Sequence, residues 1–434
     1  MDRAELARRL GFSGAAAERA AGTVVVEERE PAAFIAAFAR AVGEGGEVFL
    51  ADPAWGSAER AVLAELRGQA AEIVVPPRDN NFRSLTPLGW LMIPSGGTSG
   101  KVKFARHDED TLSAAVRGFC AHFDVERVNC VAVLPMHHVS GLMAWMRTAL
   151  TGGQYVAWDW KRLERGDLPA LPREKRPGSG RAGWFLSLVP TQLQRLLPLP
   201  GAVDWLRSFD AVFLGGGPVW PDLAEAAGIA GLPISLSYGM TETAAMVAAL
   251  RPAEFLAGIR SCGPALPHAR IDITGAGLVR VAGDSLFRGY FPEWRAERSF
   301  ATADLGALDE RGHLRVLGRR DTVIITGGKK VDPHEVEAAL RATGEFADVA
   351  VLGMPDSEWG ETVVACYPSG QPAPDPALVG ERLATIAEFK RPRRFIPIRD
   401  WPRNAQGKLN RTALLAALRG QPSPSGRCDG TSWN

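Results

Sequence analysis

The chain has 434 residues, 46% hydrophobic and 23% charged, the make-up of an ordinary globular protein long enough for two or three domains. Its 50 Lys+Arg against 49 Asp+Glu nearly cancel, so no basic footprint for nucleic acid or a membrane surface stands out. No apolar run approaches the roughly 20 residues that cross a bilayer, the N-terminus lacks a signal peptide's apolar stretch, and five scattered cysteines (Cys120, Cys130, Cys262, Cys366, Cys428) without a CxxC pair fit reduced thiols in a cytoplasmic protein better than disulfides or a zinc site.

Residues 1–88 alternate between patterns of helix and strand: Phe34–Phe38 reads as a helix face, Val48–Leu50 and Ile73–Val75 as strands, and Ala58–Arg67 as a helix between them. Gly89-Trp90-Leu91-Met92-Ile93 is a buried strand that empties into Pro94-Ser95-Gly96-Gly97-Thr98-Ser99-Gly100-Lys101-Val102-Lys103. The acidic run Asp108-Glu109-Asp110 starts a helix that extends to about Phe123, because acids there suit the helix dipole. Cys130–Leu134 is the next strand, followed by the turn Pro135–Leu142 and a helix through Leu150. Lys161–Arg181 is a basic, Pro/Gly-rich loop; Trp184–Val189 and Ala211–Leu214 are strands with a helix, Thr191–Leu197, between them. Such alternation predicts a doubly wound, mostly parallel sheet. From Gly263 the texture changes to short β pieces at 271–273, 278–281 and 313–317. A separate α+β unit then follows, with helices Pro333–Leu340 and Pro376–Ala387 and strands Val349–Leu352 and Thr362–Tyr367.

The expected fold is therefore α/β: a large N-terminal domain of doubly wound sheets plus a small β subdomain over 1–317, and a small α+β C-terminal domain over 323–419. Residues 318–322, dense in charge, connect the two, and the family resemblance given below implies that they are a hinge about which the second domain is mobile. The Ser/Gly/Pro-rich residues 420–434 are expected to be disordered.

The stretch from Pro94 to Lys103 carries the first chemistry. Its glycines let several backbone N–H groups converge on one anion, while hydroxyls and lysines add donors and charge. A Gly/Ser surface hairpin is the plain alternative. The Walker loop is excluded, because Ser95 stands where that motif needs glycine and Val102 where it needs Ser or Thr. Downstream, Leu214-Gly215-Gly216-Gly217-Pro218 offers a glycine wall or a mere strand-end turn. Ser237-Tyr238-Gly239-Met240-Thr241-Glu242-Thr243 offers an aromatic face, a hydroxyl and a hard carboxylate of the kind Mg²⁺ prefers, or an ordinary helix start. Thr302-Ala303-Asp304-Leu305-Gly306 supplies a carboxylate able to accept two hydroxyls. Gly318-Arg319-Arg320-Asp321 is charge-dense, Ile325-Thr326-Gly327-Gly328-Lys329-Lys330-Val331 is a second glycine turn, and Pro402-Arg403-Asn404-Ala405-Gln406-Gly407-Lys408-Leu409 ends in a compact positive charge.

In this order and spacing, from Trp90 to Leu415, these stretches resemble the acyl-adenylate-forming enzymes, the AMP-forming acyl-CoA synthetase superfamily. The resemblance implies ATP and coenzyme A as co-substrates and Mg²⁺ as the cofactor. Ser95, Gly96, Gly97, Thr98, Ser99, Gly100 and Lys103 would hold phosphates. Gly215, Gly216, Gly217, Pro218, Tyr238, Gly239, Met240 and Thr241 would line the adenine site, and Asp304 with Arg319 the ribose. Glu242 and Thr98 would hold the metal, Lys408 would bridge carboxylate and α-phosphate, Asp321 would be the hinge, and Gly327, Gly328 and Lys329 would lie on the thiol's approach. Two departures stand out: Val102 replaces the loop's usual proline, and the loop arrives early, so the N-terminal part is abbreviated.

Short length and the segments Ile93-Pro94-Ser95-Gly96-Gly97-Thr98-Ser99-Gly100, Lys103-Phe104-Ala105-Arg106-His107 and Leu134-Pro135-Met136-His137-His138-Val139-Ser140-Gly141-Leu142-Met143 together resemble the o-succinylbenzoate–CoA ligase branch, whose enzymes serve menaquinone and phylloquinone synthesis. His138, Ser140 and Arg147 are then candidates for the acid pocket. Arg147 either fixes a second carboxylate by paired hydrogen bonds or, two turns into its helix, faces solvent. His138 is either a pocket residue or a satisfied core histidine. The basic run Phe389–Arg394 either meets coenzyme A phosphates or is solvated surface. Alternatives are a ligase for another aryl or acyl acid, an adenylation enzyme loading a carrier protein (disfavoured because no carrier-like segment follows Leu415), and a non-catalytic nucleotide-binding protein. The last would be expected to lose Lys103, Glu242 or Lys408, and all three are present.

Overall fold

The computed structural model describes residues 1–14, 22–72, 89–96, 102–172, 181–403 and 409–420. Its first sheet contains β1 (Thr23–Val26), β2 (Glu47–Leu50), β3 (Leu91–Gly96) and β4 (Val102–His107), in that spatial order. β1 to β3 are parallel, and β4 returns antiparallel to β3 as a hairpin. The helices α1 (Arg3–Arg9), α2 (Pro31–Glu44) and α3 (Ser57–Glu72) accompany it. α2 starts on Pro31, whose missing N–H costs nothing in a first turn, and stops at Gly45 with φ +83°. It buries Phe34, Phe38 and Val42, a stripe at four-residue spacing.

The second sheet comprises β5 (Arg127–Ala132), β6 (Tyr155–Ala157), β7 (Ala182–Leu188), β8 (Ala211–Leu214), β9 (Ile234–Met240) and β10 (Ala245–Ala249). Its order is β10-β9-β8-β7-β5-β6, all parallel except β10. The chain reverses direction across the sheet at β5, and the crevice outside the C-terminal strand ends at such a point is the usual ligand position. Around it run α4 (Glu109–Phe123), α5 (Val139–Thr151), α6 (Trp160–Glu164), α7 (Pro190–Leu196), α8 (Ala202–Arg207), α9 (Pro221–Ile229) and α10 (Pro252–Leu256). The acidic start expected for α4 is a full capping box: the Asp108 carboxylate accepts from the Thr111 amide while the Thr111 hydroxyl accepts from the Asp108 amide.

The third sheet runs β11 (Ala269–Ile273), β12 (Leu278–Gly283), β13 (Ser299–Leu308) and β14 (Leu314–Arg319). The last contains β15 (Ile324–Thr326), β16 (Lys329–Val331), β17 (Ala350–Asp356), β18 (Gly360–Pro368) and β19 (Arg394–Ile398), in the order β16-β15-β18-β17 with β19 parallel beside β18. With it go α11 (Pro333–Arg341), α12 (Pro376–Leu383) and α13 (Arg411–Gly420), and its core gathers Val336, Leu340, Val351, Val363, Ala365 and Leu383.

The chain divides into two compact units. The first is Met1–Val219, Ala226–Thr302 and Ala307–Arg315; the second takes Trp220–Glu225, Ala303–Gly306 and the chain from Val316. Differences from the sequence reading are local. The basic stretch after Lys161 is not all loop, because Asp159 caps the Arg162 amide and starts α6. The Asp304 stretch is the middle of a long strand, β13, whose residues 302, 304 and 306 alternate inward. α12 ends at Leu383, short of Ala387. The strand expected at Ile73–Val75 and the tail 421–434 lie outside the described residues. Among the described residues no helix is long and apolar enough to cross a membrane.

Candidate active site

Hydrogen bonding carries the β3–β4 hairpin up to Ser95 opposite Lys103 and Gly96 opposite Val102, so the glycine loop is the tip of a hairpin. The hairpin and anion-cradle readings of this stretch are thus compatible. Gly97, Thr98, Ser99 and Gly100 lie outside the described residues. Ser95 Oγ donates to Glu242 Oε1 at 2.8 Å, and the Tyr290 hydroxyl donates to the same oxygen at 2.6 Å. Lys103 Nζ stands 5.2 Å from the Tyr290 ring centroid. Glu242 itself is buried, on the single 3-10 turn Thr241–Thr243 that follows β9, rather than at a helix start.

That turn is held in an unusual shape. Ala244 and Ala245 have φ of +51° and +79°, a region that costs a non-glycine residue about 1 kcal/mol. Thr243 Oγ1 accepts from the Met240 amide at 3.0 Å and reaches the Ala245 carbonyl at 2.6 Å, which stabilises the shape from inside. From outside, His107 Nε2 lies 2.8 Å from the Thr241 carbonyl oxygen. A carbonyl only accepts, so this nitrogen carries the proton, and burial pushes the ring's pKa down to about 4, keeping it neutral. Tyr290 is held against β4 by an antiparallel bridge to Ala105, and two positions before it Arg288 Nε donates at 2.7 Å to Asp108, the buried carboxylate that also caps α4. His107 and Tyr290 were not singled out in the sequence for these roles. His107 closes the stretch Lys103–His107 after the glycine loop, and Tyr290 has no periodic pattern around it.

The remaining first-unit residues follow strand ends of the second sheet. Gly215 closes β8 where a Cβ would meet Ser237 Oγ at 2.9 Å, and Gly216 takes φ +75°, so the chain turns tightly ahead of Gly217 and Pro218. Tyr238 on β9 donates to Thr302 Oγ1 at 3.4 Å and packs with Val247, Val279 and Leu314; only 9% of it is exposed. Gly239 allows the β9–β10 hairpin to close, since a Cβ would lie 2.1 Å from the Ala245 oxygen. Met240 ends β9.

After β5 the chain reaches His138, the residue before α5, and Ser140 in its first turn. Gly141 is required there, because a Cβ would sit 2.2 Å from the Pro135 oxygen. Arg147 lies seven positions beyond Ser140, which returns it to the same helical face. It does not face solvent: it is 4% exposed, its guanidinium lies 4.3 Å from the Phe119 ring centroid, and it lines a small cavity with Cys130, Phe185, Ser187 and Phe213. Burial pushes its pKa down to about 10, and the groups that act back on it are the thiols of Cys120 and Cys130 rather than a carboxylate. Its Nε finds no hydrogen-bond partner among the described residues.

In the second unit, Arg319 bridges two acids. Its Nη1 donates to Asp304 Oδ1 at 3.1 Å, while Nε and Nη2 form a fork on Asp321 at 2.9 and 2.8 Å. Asp304 is buried and Asp321 lies on the short turn after β14. Gly327 and Gly328, with φ of +53° and +75°, are the two-residue turn of the β15–β16 hairpin. Lys329 Nζ lies 4.6 Å from the Phe389 ring centroid. The basic run is already engaged: Lys390 pairs with Glu335 at 2.6 Å, Arg391 donates to the Ile386 carbonyl and Arg393 lies over Trp359. Lys408 lies outside the described residues, but its flanks Arg403 and Leu409 pair as an antiparallel bridge, and Trp401 Nε1 donates to Asp348 at 2.8 Å.

Glu242 fits a magnesium ligand on chemical grounds. Both hydroxyls reach Oε1, which leaves Oε2, a hard oxygen, without a hydrogen bond among the described residues.

Two family models match this chain: AMP-binding enzyme over residues 67–291, and AMP-binding enzyme C-terminal domain over 335–408. It is 33% identical over 347 residues to the probable 2-succinylbenzoate–CoA ligase of Mycobacterium tuberculosis, covering 76% of this chain and 85% of that one. The 2-succinylbenzoate–CoA ligase of Enterococcus faecalis is 30% identical over 341 residues, 75% of this chain and 69% of the relative. Among solved structures, o-succinylbenzoate CoA synthetase from Bacillus subtilis in complex with the acyl-adenylate OSB-AMP superimposes with TM-score 0.74 at 22% identity, covering 95% of this chain and 91% of that one. ATP-bound MatB from Rhodopseudomonas palustris gives 0.74 at 22% identity, with 96% and 93% covered. At these identities the two structures speak for the fold.

Proposed function

We propose that this chain, which belongs to the family of AMP-binding enzymes and is an AMP-forming acid–thiol ligase, takes 2-succinylbenzoate as its acid and coenzyme A as its thiol. The observation that carries the choice of acid is Arg147: a buried cation on the helix that begins at His138, with no carboxylate partner among the described residues. A dicarboxylate keeps one carboxylate after the other has reacted, and a guanidinium can hold it by two parallel hydrogen bonds. The named relatives act on this acid by their descriptions.

In the first half-reaction, one carboxylate oxygen of the acid attacks the α-phosphorus of ATP and the bond to the bridging oxygen breaks, releasing pyrophosphate. Lys408 and Lys103 stabilise charge building on the phosphates, as a preorganised cation does without reorganisation. When bound, Mg²⁺ neutralises phosphate charge; Glu242 and Thr98 are the residues that would hold it. Ser95 and Tyr290 orient the Glu242 carboxylate, and the Asp304 carboxylate accepts the ribose hydroxyls while Arg319 holds it in place. The second unit then swings about Asp321, which withdraws Lys408 and presents Gly327 and Gly328. In the second half-reaction the thiol sulfur attacks the acyl carbon and AMP leaves. The reading carries a cytoplasmic location, where Cys120, Cys130, Cys262 and Cys366, all free thiols, stay reduced.

The test is incubation of the protein with ATP, Mg²⁺, coenzyme A and a panel of acids, scored for both AMP and thioester. The panel pairs 2-succinylbenzoate with its analogue lacking the ring carboxylate. The expected result is that 2-succinylbenzoate is preferred by at least about tenfold in kcat/KM, the value of one charge-assisted hydrogen bond. Thioester from another acid with none from 2-succinylbenzoate would overturn the choice of acid and leave the ligase class intact.

A further inference from the structure

We infer that Asp52, His137 and His138 form a binding site for one first-row transition-metal ion, Zn²⁺ being the probe, distinct in position and chemistry from the Mg²⁺ that accompanies ATP. The inference does not rest on the choice of acid. Asp52 follows the C-terminal end of β2, and His137 and His138 close the connection from β5 to α5, so two loops from different sheets of the first unit deliver the three side chains. One ligand atom from each lies within 4.8 Å of the others. His137 Nε2 is 3.4 Å from Asp52 Oδ2, already the edge expected of a tetrahedral zinc site, about 3.3 Å for bonds near 2.0–2.1 Å. The two imidazoles are tilted by 52° with centroids 4.5 Å apart, so the rings do not stack flat.

The chemistry of each donor suits a metal. His137 is 6% exposed, yet its Nε2 makes no hydrogen bond among the described residues despite the nearby carboxylate. A buried nitrogen in that state costs stability, and coordination would remove the cost. Asp52 Oδ1 accepts from the Ala54 amide at 2.8 Å, which fixes the carboxylate and leaves Oδ2 for the ion. Two imidazoles and one carboxylate favour zinc, cobalt, nickel or copper over magnesium, which demands oxygen ligands and octahedral geometry. Three protein ligands leave a fourth position for water or another ligand.

The experiment uses the full chain without any affinity tag, stripped with chelator and kept in excess Mg²⁺. Zn²⁺ binding is followed by calorimetry, and Co²⁺ binding by its visible absorption, which is intense only for tetrahedral coordination. One ion per chain is expected, with affinity falling at least about tenfold in His137→Phe and in Asp52→Asn, since even loss of an outer-shell partner costs a site ten- to a hundredfold. His268→Ala, outside the triad, should bind as the unaltered protein does. Thermal melts establish that each variant is folded, and Asp52→Asn, which keeps the shape of the side chain, carries the test where His137→Phe does not fold. Absence of binding, octahedral cobalt spectra, or equal affinity in folded Asp52→Asn would each overturn the inference.

Discussion

Replacing Arg147 with methionine should make the free protein more stable while crippling its use of a dicarboxylate. Burial lowers the Arg147 pKa from 12.5 to about 10, which at roughly 1.4 kcal/mol per unit puts the cost of the buried charge at about 3 kcal/mol. The Phe119 face returns part of this, on the order of 1–2 kcal/mol for a desolvated cation–π contact. Methionine fills similar space without charge, so the free variant should gain about 1 kcal/mol, as happens when buried ions are replaced by apolar groups. That corresponds to a rise in Tm of about 2 °C for a unit of this size. In the enzyme with its acid bound the balance reverses. Loss of a charge-assisted pair, about 1.5–3 kcal/mol, predicts a ten- to hundredfold lower kcat/KM for 2-succinylbenzoate. Two measurements check this: differential scanning calorimetry without ligand, and initial rates with 2-succinylbenzoate against the analogue lacking the ring carboxylate. Equal losses for both acids, or a destabilised free variant, would refute the assignment of Arg147 to the second carboxylate.

Ser95→Ala and Tyr290→Phe each remove a hydroxyl donor from Glu242 Oε1, so each should lower kcat/KM for ATP by about tenfold or more and raise the Mg²⁺ needed for half-maximal pyrophosphate release; an unchanged Mg²⁺ requirement in both would remove the positioning role. Burial holds His107, His122 and His268 at about 4, below the unfolded value of 6.5, so their neutral forms favour the fold above pH 6.5. Their contribution is lost as pH falls from 6.5 to 4, each by up to about 1.4 kcal/mol per unit, and urea melts at pH 7 and 5 should differ accordingly; Asp52, lowered from 3.8 to about 2, enters only below that window. A midpoint that does not move between pH 7 and 5 would contradict this. Lys408→Ala should abolish acid-dependent AMP formation but leave much of the thioester step from preformed acyl-AMP, and equal loss of both half-reactions would sink the proposed swing about Asp321.

The fold was legible where a single physical signal dominated. α2 shows its apolar face at Phe34–Phe38 in the sequence, and α4 carries its cap in the letters Asp108 to Thr111, so both stood out. β13 did not, because its ten residues mix alanine, threonine and aspartate, and its inward side is chosen by the sheet it joins. β19 is equally quiet: Pro397 interrupts it, and it exists because β18 offers an open parallel edge. Short helices such as α6 turn on one cap residue, Asp159, inside a stretch whose composition reads as loop.

For the candidate site the sequence offers residue types but not their geometry. Ser95 and Glu242 stand far apart in sequence, and nothing local to either says that they share a hydrogen bond. The strain at Ala244 and Ala245 was hidden for the opposite reason. A sequence reader expects glycine or asparagine where φ is positive, and alanine gives no warning. Alanine persists there because Thr243, His107 and the close approach of Gly239 over-determine the turn, and the turn aims Glu242. Arg147 follows the same logic. Its spacing from Ser140 was visible, but whether it met water or the interior depended on α4 arriving with Phe119 beneath it. Once buried, that guanidinium stands over the Phe119 face with no carboxylate beside it among the described residues, and the proposal that a substrate carboxylate completes it is what the paired rates with the two acids decide.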